Sequence, residues 1–271
     1  MLTLDLALVT HRPEGIVKVA DMNLPFVDGV NYIVSWQDHR DAPVPPALIR
    51  DDVKIYRFNQ TGQSHNRNNA IDHCTGDLIL NSDDDLVYSE EGLKAVIEAF
   101  EQNPDVDVAT FIAEMPWEPI YPPAACRLGE PLPKDYWVAT FNIAFRRASV
   151  GNLRFHPEFG LGSRYLHGAE DELFLLSAIR RNLHCHFFPV VICVHPELST
   201  GTKKGLTPAN LRATGCYVAI AYPKSYVLRF LIKAWRLRRH KQSGFFWSIK
   251  HMIAGARKAP DILKGDRRYL W

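Results

Sequence analysis

Several features typical of familiar protein classes are missing from this sequence. It contains no apolar run near the roughly 18 to 20 residues that span a bilayer, no repeat of fixed period, and no CxxC spacing among its five cysteines. Its first ten residues include Asp5 but no Lys or Arg, whereas a secretory signal peptide begins with basic residues. These absences favour a cytoplasmic protein with reduced thiols.

The composition is that of a folded protein. The 271 residues are 46% hydrophobic and 23% charged, which excludes disorder over most of the length and allows one large domain, or one domain with an extension. The net charge of +2 is unevenly distributed, since residues 224–271 contain 13 Lys and Arg and only two acids, Asp261 and Asp266. This basic tail favours contact with an anionic partner.

Strand-like and helix-like segments alternate over the first two thirds of the chain. Runs of β-branched and aromatic residues predict strands at 4–9, 30–36, 53–58, 77–80, 106–112, 138–145 and 184–194. Helical spacing predicts helices at 64–74, 89–100 and 168–182, and six prolines predict a long loop at 114–136. This alternation predicts an α/β fold with a mostly parallel sheet flanked by helices, in which ligands bind at the carboxyl ends of the strands.

Three consecutive acids, Asp83, Asp84 and Asp85, follow one of the predicted buried strands. Adjacent carboxylates repel one another, so an ordered site needs a cation or hydrogen-bond donors to offset the repulsion. Oxygen ligands of this kind suit Mg²⁺ or Mn²⁺, and such ions commonly bridge phosphate oxygens. The sequence therefore predicts a metal site here, with a solvated acidic turn as the alternative.

Three further segments carry side chains suited to chemistry. Glu170 and Asp171 begin a predicted helix, whose dipole favours the ionised carboxylate that a general base needs, although acids also occupy this position in helices without any such role. Arg67 lies near the start of another predicted helix, where it can hold a diphosphate or fix neighbouring carboxylates. His195, just past a strand, is either a ligand or a structural histidine.

The basic tail divides the chain into a predicted catalytic domain at 1–215 and a basic, aromatic helical extension at 216–271. Apolar residues recur in it at helical spacing with Lys and Arg between them: Val227, Leu228, Leu231, Ile232 and Trp235. This pattern predicts an amphipathic helix that lies in a membrane interface. The alternative is a helix that packs on the catalytic body and leaves a solvated basic face.

Taken in order, these segments resemble inverting family-2 glycosyltransferases of the GT-A type, as found in bacterial surface-polysaccharide assembly. The likeness covers about residues 4–200. It rests on an ordered set of motifs: Thr10-His11-Arg12, Asp38, Gly62 through Arg67-Asn68, Asp83-Asp84-Asp85 as the DxD motif, Phe159-Gly160-Leu161-Gly162, and Gly168-Ala169-Glu170-Asp171. The resemblance implies a GT-A fold, in which a Rossmann-like, mostly parallel sheet binds the nucleotide.

The resemblance also implies roles for the matching residues. The nucleotide-sugar donor is expected at Thr10, Arg12, Asp38, Arg67, Asp83 and Asp84. A divalent ion, Mn²⁺ or Mg²⁺, is expected on Asp85, with Asp83 and His195 as further ligands. Asp171 is the expected catalytic base and Glu170 the residue that positions the acceptor hydroxyl. The acceptor is expected against Trp117, Trp137 and Asn142, with ordinary packing as the alternative for the two tryptophans.

The implied reaction moves a sugar from a nucleotide-linked donor, expected to carry UDP, to a hydroxyl of a carbohydrate or lipid-linked saccharide acceptor. The expected setting is the cytoplasm or the inner face of the cytoplasmic membrane, with an anionic lipid surface as a partner of the tail and no nucleic acid partner.

Two other classes compete with this interpretation. A sugar-nucleotide nucleotidyltransferase needs a glycine-rich phosphate loop after the first strand, and residues 10–15 lack that glycine density. A nucleic-acid-binding protein would use the basic, aromatic tail, but it would leave the acid clusters of the body without a role.

Overall fold

The computed structural model describes residues 1–196 and 206–271. The chain forms two compact units. The first comprises Met1–Thr61, His65–Asn152 and the described part of Ala178–Glu197, and the second comprises Gly62–Ser64, Leu153–Ser177 and the described part of Leu198–Trp271. Residue 215, after which the sequence-based boundary falls, is inside a helix of the second unit.

The described strands form one sheet in the first unit. Their order is β3-β2-β1-β4-β8-β6-β9-β5, with β7 paired to β9. The strands are β1 (Leu4–His11), β2 (Val30–Gln37), β3 (Val53–Phe58), β4 (Leu78–Ser82), β5 (Val87–Tyr88), β6 (Val108–Glu114), β7 (Cys126–Leu128), β8 (Ile143–Arg146) and β9 (Cys185–Val194).

Strand direction brings four sequence-distant segments to one edge of the sheet. β1 pairs in parallel with β2 and β4, while β8 runs antiparallel to both β4 and β6. β9 is parallel to β6, so it runs in the same direction as β4. The carboxyl ends of β1, β2, β4 and β9 therefore point the same way, as the ligand-binding edge of an α/β sheet requires.

Burial explains why these segments are strands. Seven of the eight residues of β1 are buried, which is typical of a strand covered on both faces of a sheet. Leu4, Leu6 and Leu8 of β1 share the core of the first unit with Tyr32 and Trp36 of β2. The predicted mostly parallel α/β sheet with flanking helices is confirmed.

The described helices of eight or more residues are α1 (Arg12–Asp21), α2 (Gln63–His73), α3 (Glu90–Gln102), α5 (Glu170–Arg180), α6 (Pro208–Ala221), α7 (Tyr226–Arg239) and α8 (Phe245–Ala256). Two shorter ones are α4 (Arg147–Val150) and α9 (Ala259–Leu263). Ser89 caps α3 as predicted, because its Oγ accepts a hydrogen bond from the Gly92 amide at 3.0 Å.

Several elements differ from the sequence-based prediction. Helix α1 was not among the predicted helices. It has Pro13 in its first turn, where proline is well tolerated. The strand predicted at 138–145 is shorter, since Thr140–Asn142 form a 3₁₀ turn in which Asn142 Oδ1 accepts a hydrogen bond from the Ala139 amide. Strand β7 forms within the predicted loop at 114–136.

The C-terminal part of the second unit is helical. Thr207 caps α6 by accepting a hydrogen bond from the Asn210 amide at 3.2 Å. Helices α6 and α8 approach closely at two glycines, because a Cβ at Gly215 would overlap the carbonyl of Met252 and one at Gly255 would overlap the carbonyl of Arg212. In the described parts of the chain, no helix has both the length and the apolar content needed to cross a bilayer.

We expect Gly255→Ala to lower the free energy of unfolding by about 1 to 3 kcal/mol. Alanine favours a helix by about 1 kcal/mol, but the overlap is with a backbone carbonyl, so the two helices must separate and lose packing. Urea unfolding measures the difference. Gly129→Ala is the control, since no atom lies within 4 Å of its added Cβ. Equal stability of the Gly255 variant and wild type would contradict this account of the helix contact.

Candidate active site

The sequence-predicted residues of the first unit collect at the carboxyl edge of the sheet. Thr10 and Arg12 lie at the end of β1, Asp38 follows β2, and the acid trio follows β4. His195, which is about 110 residues away from the trio in sequence, follows β9. The sheet topology thus gathers side chains that belong to separate segments of the chain.

Asp83 is held by an almost buried arginine. Arg67 of α2 donates from Nη2 to Asp83 Oδ1 at 3.1 Å, and the Arg67 side chain is only 4% exposed. A guanidinium in this position offsets the negative charge of the trio and fixes the Asp83 carboxylate. The sequence allowed Arg67 either to hold a diphosphate or to fix neighbouring carboxylates. The structure shows its contact with the Asp83 carboxylate.

The hydroxyl of Thr10, on the neighbouring strand β1, holds Asp84. Thr10 Oγ1 donates a hydrogen bond to Asp84 Oδ2 at 2.5 Å. A Cβ at Gly15 would overlap Thr10 Oγ1 and approach Asp84 Oδ2 to 3.2 Å, so helix α1 needs a glycine at this position. Burial raises the pKa of Asp84 to about 6, the Thr10 hydrogen bond opposes that rise, and the charges of Asp85 and Asp83 add to it.

Asp85 lies beside His195. His195 Nε2 is 3.5 Å from Asp85 Oδ1, and the imidazole is almost completely buried. Burial and then the charge of Asp83 raise the pKa of Asp85, while His195 opposes the rise. Among residues 1–196 and 206–271, no hydrogen-bond partner is found for the buried Nδ1 of His195.

This donor set fits part of the coordination shell of a divalent ion. A carboxylate oxygen and an imidazole nitrogen are ligands that Mn²⁺ accepts, and the crowding of Asp83 and Asp85 is relieved by a cation. However, the described residues contain no group of three or more His, Cys, Asp or Glu arranged to hold a metal. The residues that the structure describes bring two candidate ligands together, Asp85 and His195, and metal binding by Asp83, Asp85 and His195 stays a prediction.

Asp38 lies between two guanidinium groups. Its Oδ2 is 3.1 Å from Arg40 Nη2 and 3.6 Å from Arg12 Nε, and the hydrogen bond from Arg40 is the main reason that its pKa is lowered. Asp38 and Arg12 both adopt positive φ, at +50° and +66°, and Trp36 Nε1 donates to the Arg12 carbonyl at 2.8 Å. Such backbone strain is common at functional sites. Sequence reasoning missed Trp36 and Arg40, because no local pattern marks them.

The aromatic residues of the proline-rich segment pack on one another. The rings of Trp117 and Trp137 meet edge to face at 5.3 Å between centroids, and Trp137 also contacts Tyr121 and Phe141. Trp117 retains a partly exposed face, whereas Asn142 is fully buried. These contacts show packing for both tryptophans, and acceptor binding by Trp117, Trp137 and Asn142 stays a prediction.

Glu170 and Asp171 begin α5 in the second unit. The Glu170 carboxyl packs against Gly160, where a Cβ would come within 3.2 Å of Glu170 Oε1 and 3.1 Å of Ser64 Oγ. Gly160 has φ +95°, which explains the glycine in this motif. Burial raises the pKa of the next acid, Glu172, to about 7, and the Glu170 charge raises it further, although the Glu172 side chain keeps some contact with solvent.

Comparison with known proteins adds family information to this geometry. Residues 42–149 match the sequence profile of "Glycosyl transferase family 2". This match covers less than half of the chain and includes Arg67 and the acid trio. The activity class that the match supports is glycosyl transfer. No curated protein sequence is significantly similar to the chain.

Solved structures show that the fold is of the GT-A type. The chain is similar to S. aureus TarS 1-349, with a TM-score of 0.61, 14% identity, and coverage of 96% of this chain and 92% of that one. In complex with UDP-GlcNAc the same protein gives a TM-score of 0.60 and 16% identity, with coverage of 90% and 74%. A mannosyltransferase from Pyrobaculum calidifontis, in complex with GDP-Man and Mn²⁺, gives 0.53 and 16%, with coverage of 98% and 76%.

We expect Arg67→Ala to lower the free energy of unfolding by about 2 to 4 kcal/mol, because it removes the cation beside a carboxylate that is itself partly buried. Chemical denaturation gives the value. Lys94→Ala is the control, since it breaks an exposed pair with Glu90 within one helix and should cost less than about 0.5 kcal/mol. A loss at Arg67 no larger than that at Lys94 would show that Arg67 does not stabilise the acid trio.

Proposed function

We propose that this family-2 domain transfers a sugar, with inversion, from a nucleotide diphosphate donor to a hydroxyl of a carbohydrate or lipid-linked saccharide acceptor. The observation that carries the proposal is the contact of Asp85 with His195 at the carboxyl ends of β4 and β9. Asp85 belongs to the acid trio, and the charge of Asp83 raises its pKa. Similar folds with UDP-GlcNAc, and with GDP-Man and Mn²⁺, support a nucleotide-sugar donor.

Asp85 and His195 would hold the divalent ion that accompanies the donor diphosphate. A Mn²⁺ or Mg²⁺ ion there supplies Lewis-acid stabilisation of the leaving diphosphate. Asp83, which accepts a hydrogen bond from Arg67, would add negative potential for the ion. We propose a UDP-linked donor, whose base would bind against the exposed carboxylate of Asp38, fixed by Arg12 and Arg40.

Asp171 would act as the general base. Its position in the first turn of α5 favours the ionised carboxylate, because the positive end of the helix dipole lies there. The acceptor oxygen would form a bond to the anomeric carbon while the bond to the diphosphate breaks on the opposite face, and the hydroxyl proton would pass to Asp171. Glu170 would accept a hydrogen bond from the acceptor. These roles, and a place in cell-surface polysaccharide assembly, are supported by the motif resemblance.

We expect UDP or GDP together with Mn²⁺ to raise the melting temperature of the wild-type chain by several degrees, and Asp85→Asn to lose most of that rise. Ligand binding to the folded state stabilises it by about 2.7 kcal/mol at a hundredfold excess over Kd. Thermal melting with each nucleotide, with Mn²⁺ and with a chelator, measures the effect. Asp28→Asn, at an exposed position, is the control and should respond as wild type does.

Two results would oppose this assignment. A full Mn²⁺-dependent rise in Asp85→Asn would remove Asp85 as a ligand. The absence of any nucleotide effect on the wild-type chain would remove the donor site itself.

We expect Asp171→Asn to keep the binding of nucleotide with Mn²⁺ and to lower turnover by at least about a hundredfold, the usual contribution of a general base. Release of UDP or GDP from a panel of nucleotide sugars gives the rate, and calorimetry gives the affinity. Glu172→Gln makes the same change of carboxylate to amide one residue further along α5 and should retain turnover within a few fold. Turnover near the wild-type rate in Asp171→Asn would exclude Asp171 as the base.

A further inference from the structure

One side of helix α7 packs against other helices of the second unit, and a second apolar side is exposed. Phe230, Ala234 and Leu237 are buried, on the side that joins the small core with α6 and α8. Five other apolar residues of the helix are between 43% and 60% exposed: Val227, Leu228, Leu231, Ile232 and Trp235. We call these five residues the α7 apolar stripe.

The stripe is continuous along the helix. Its residues follow two rows with four-residue spacing, at 227, 231 and 235 and at 228 and 232, so their side chains lie on the same face of α7. Single exposed apolar residues are ordinary on protein surfaces, but a contiguous apolar face on a helix is a feature of interaction sites. The stripe therefore needs a partner that accepts apolar side chains.

Basic residues border the stripe. Arg229, Lys233 and Arg236 are exposed and recur every three or four residues, which places them in a row along one side of it. Arg239, in the last turn, lies over the Trp235 ring at 5.4 Å from its centroid. From residue 224 to 271 the sequence has 13 basic residues and two acids, so the segment that contains the stripe is strongly basic.

The next helix also carries exposed apolar residues. Phe246 of α8 is 81% exposed, and Trp247 and Ile253 are also exposed. Tryptophan beside lysine and arginine is typical of segments at the boundary between headgroups and acyl chains, where the ring has one apolar and one polar neighbour.

We propose that the α7 apolar stripe docks on an anionic lipid bilayer, with its side chains at the headgroup–acyl boundary and the basic row on the headgroup phosphates. A second copy of the chain fits less well, because a twofold contact through the stripe would bring two basic rows together. The helix lies on the surface rather than crossing it, since no described helix is suited to crossing. This docking goes beyond the proposed glycosyl transfer and does not depend on it.

Vesicle flotation tests the docking without any measurement of sugar transfer. The full chain is mixed with phosphatidylcholine vesicles that contain no anionic lipid, or about 30% phosphatidylglycerol. The wild-type chain should float with the anionic vesicles. The double variant Leu228→Ser/Ile232→Ser should bind them at least about tenfold more weakly. The matched control is Phe26→Ser/Ile49→Ser, which changes two apolar residues of the first unit that are also exposed, and it should float as wild type does.

A charge variant tests the basic row separately. Each basic residue near an anionic surface contributes about fivefold in affinity, so Lys233→Gln/Arg236→Gln should weaken binding to the anionic vesicles by about 25-fold. Lys54→Gln/Lys134→Gln removes two exposed charges from the first unit and serves as its control. All substituted side chains are exposed, and thermal melting confirms that each variant is folded.

Three outcomes would overturn the proposal. The first is that the wild-type chain fails to float with anionic vesicles, and the second is that the stripe variant floats as well as wild type does. The third is that sedimentation shows a wild-type dimer which Leu228→Ser/Ile232→Ser dissociates while neither protein floats, which would make the stripe a contact between copies of the chain. Nucleotide binding with Mn²⁺ is measured on the same samples, so failure of the docking and failure of the proposed function are distinguishable.

Discussion

Repulsion among three consecutive carboxylates is the constraint on which the first unit depends. Asp83, Asp84 and Asp85 leave a buried strand together, and each is offset by a different neighbour. Arg67 neutralises Asp83, the Thr10 hydroxyl hydrogen-bonds Asp84, and His195 lies beside Asp85. Because these partners come from α2, from β1 and from the residue after β9, the acids are kept in place by the order of strands in the sheet and not by their own segment.

Local signals in the sequence were sufficient for most of the sheet. The apolar run of β1 and the acids after β4 lie within single segments, and a buried parallel strand has a composition that can be recognised without its neighbours. The pairing of Thr10 with Asp84 was different, because the two residues are 74 positions apart and each was assigned separately to the donor. Their donor contacts stay predictions, whereas their hydrogen bond to each other is a property of the folded sheet.

Helix α7 shows a second limit of sequence patterns. Its periodicity correctly indicates a helix, but α7 has two apolar sides, and the pattern does not say which of them is buried. The choice depends on α6 and α8, which come close enough to pack only because Gly215 and Gly255 have no side chain. Phe230, Ala234 and Leu237 then occupy the core, and the residues of the α7 apolar stripe stay exposed.

The proposed ligands have a consequence for the proposed reaction. Asp85 and His195 would supply two ligands of a divalent ion and would leave other coordination positions to water or to phosphate oxygens. A diphosphate that supplies further ligands therefore increases the affinity for the ion, and by linkage the ion increases the affinity for the diphosphate by the same factor. In the proposed function, the donor and the ion would thus bind together, because each supplies part of what holds the other.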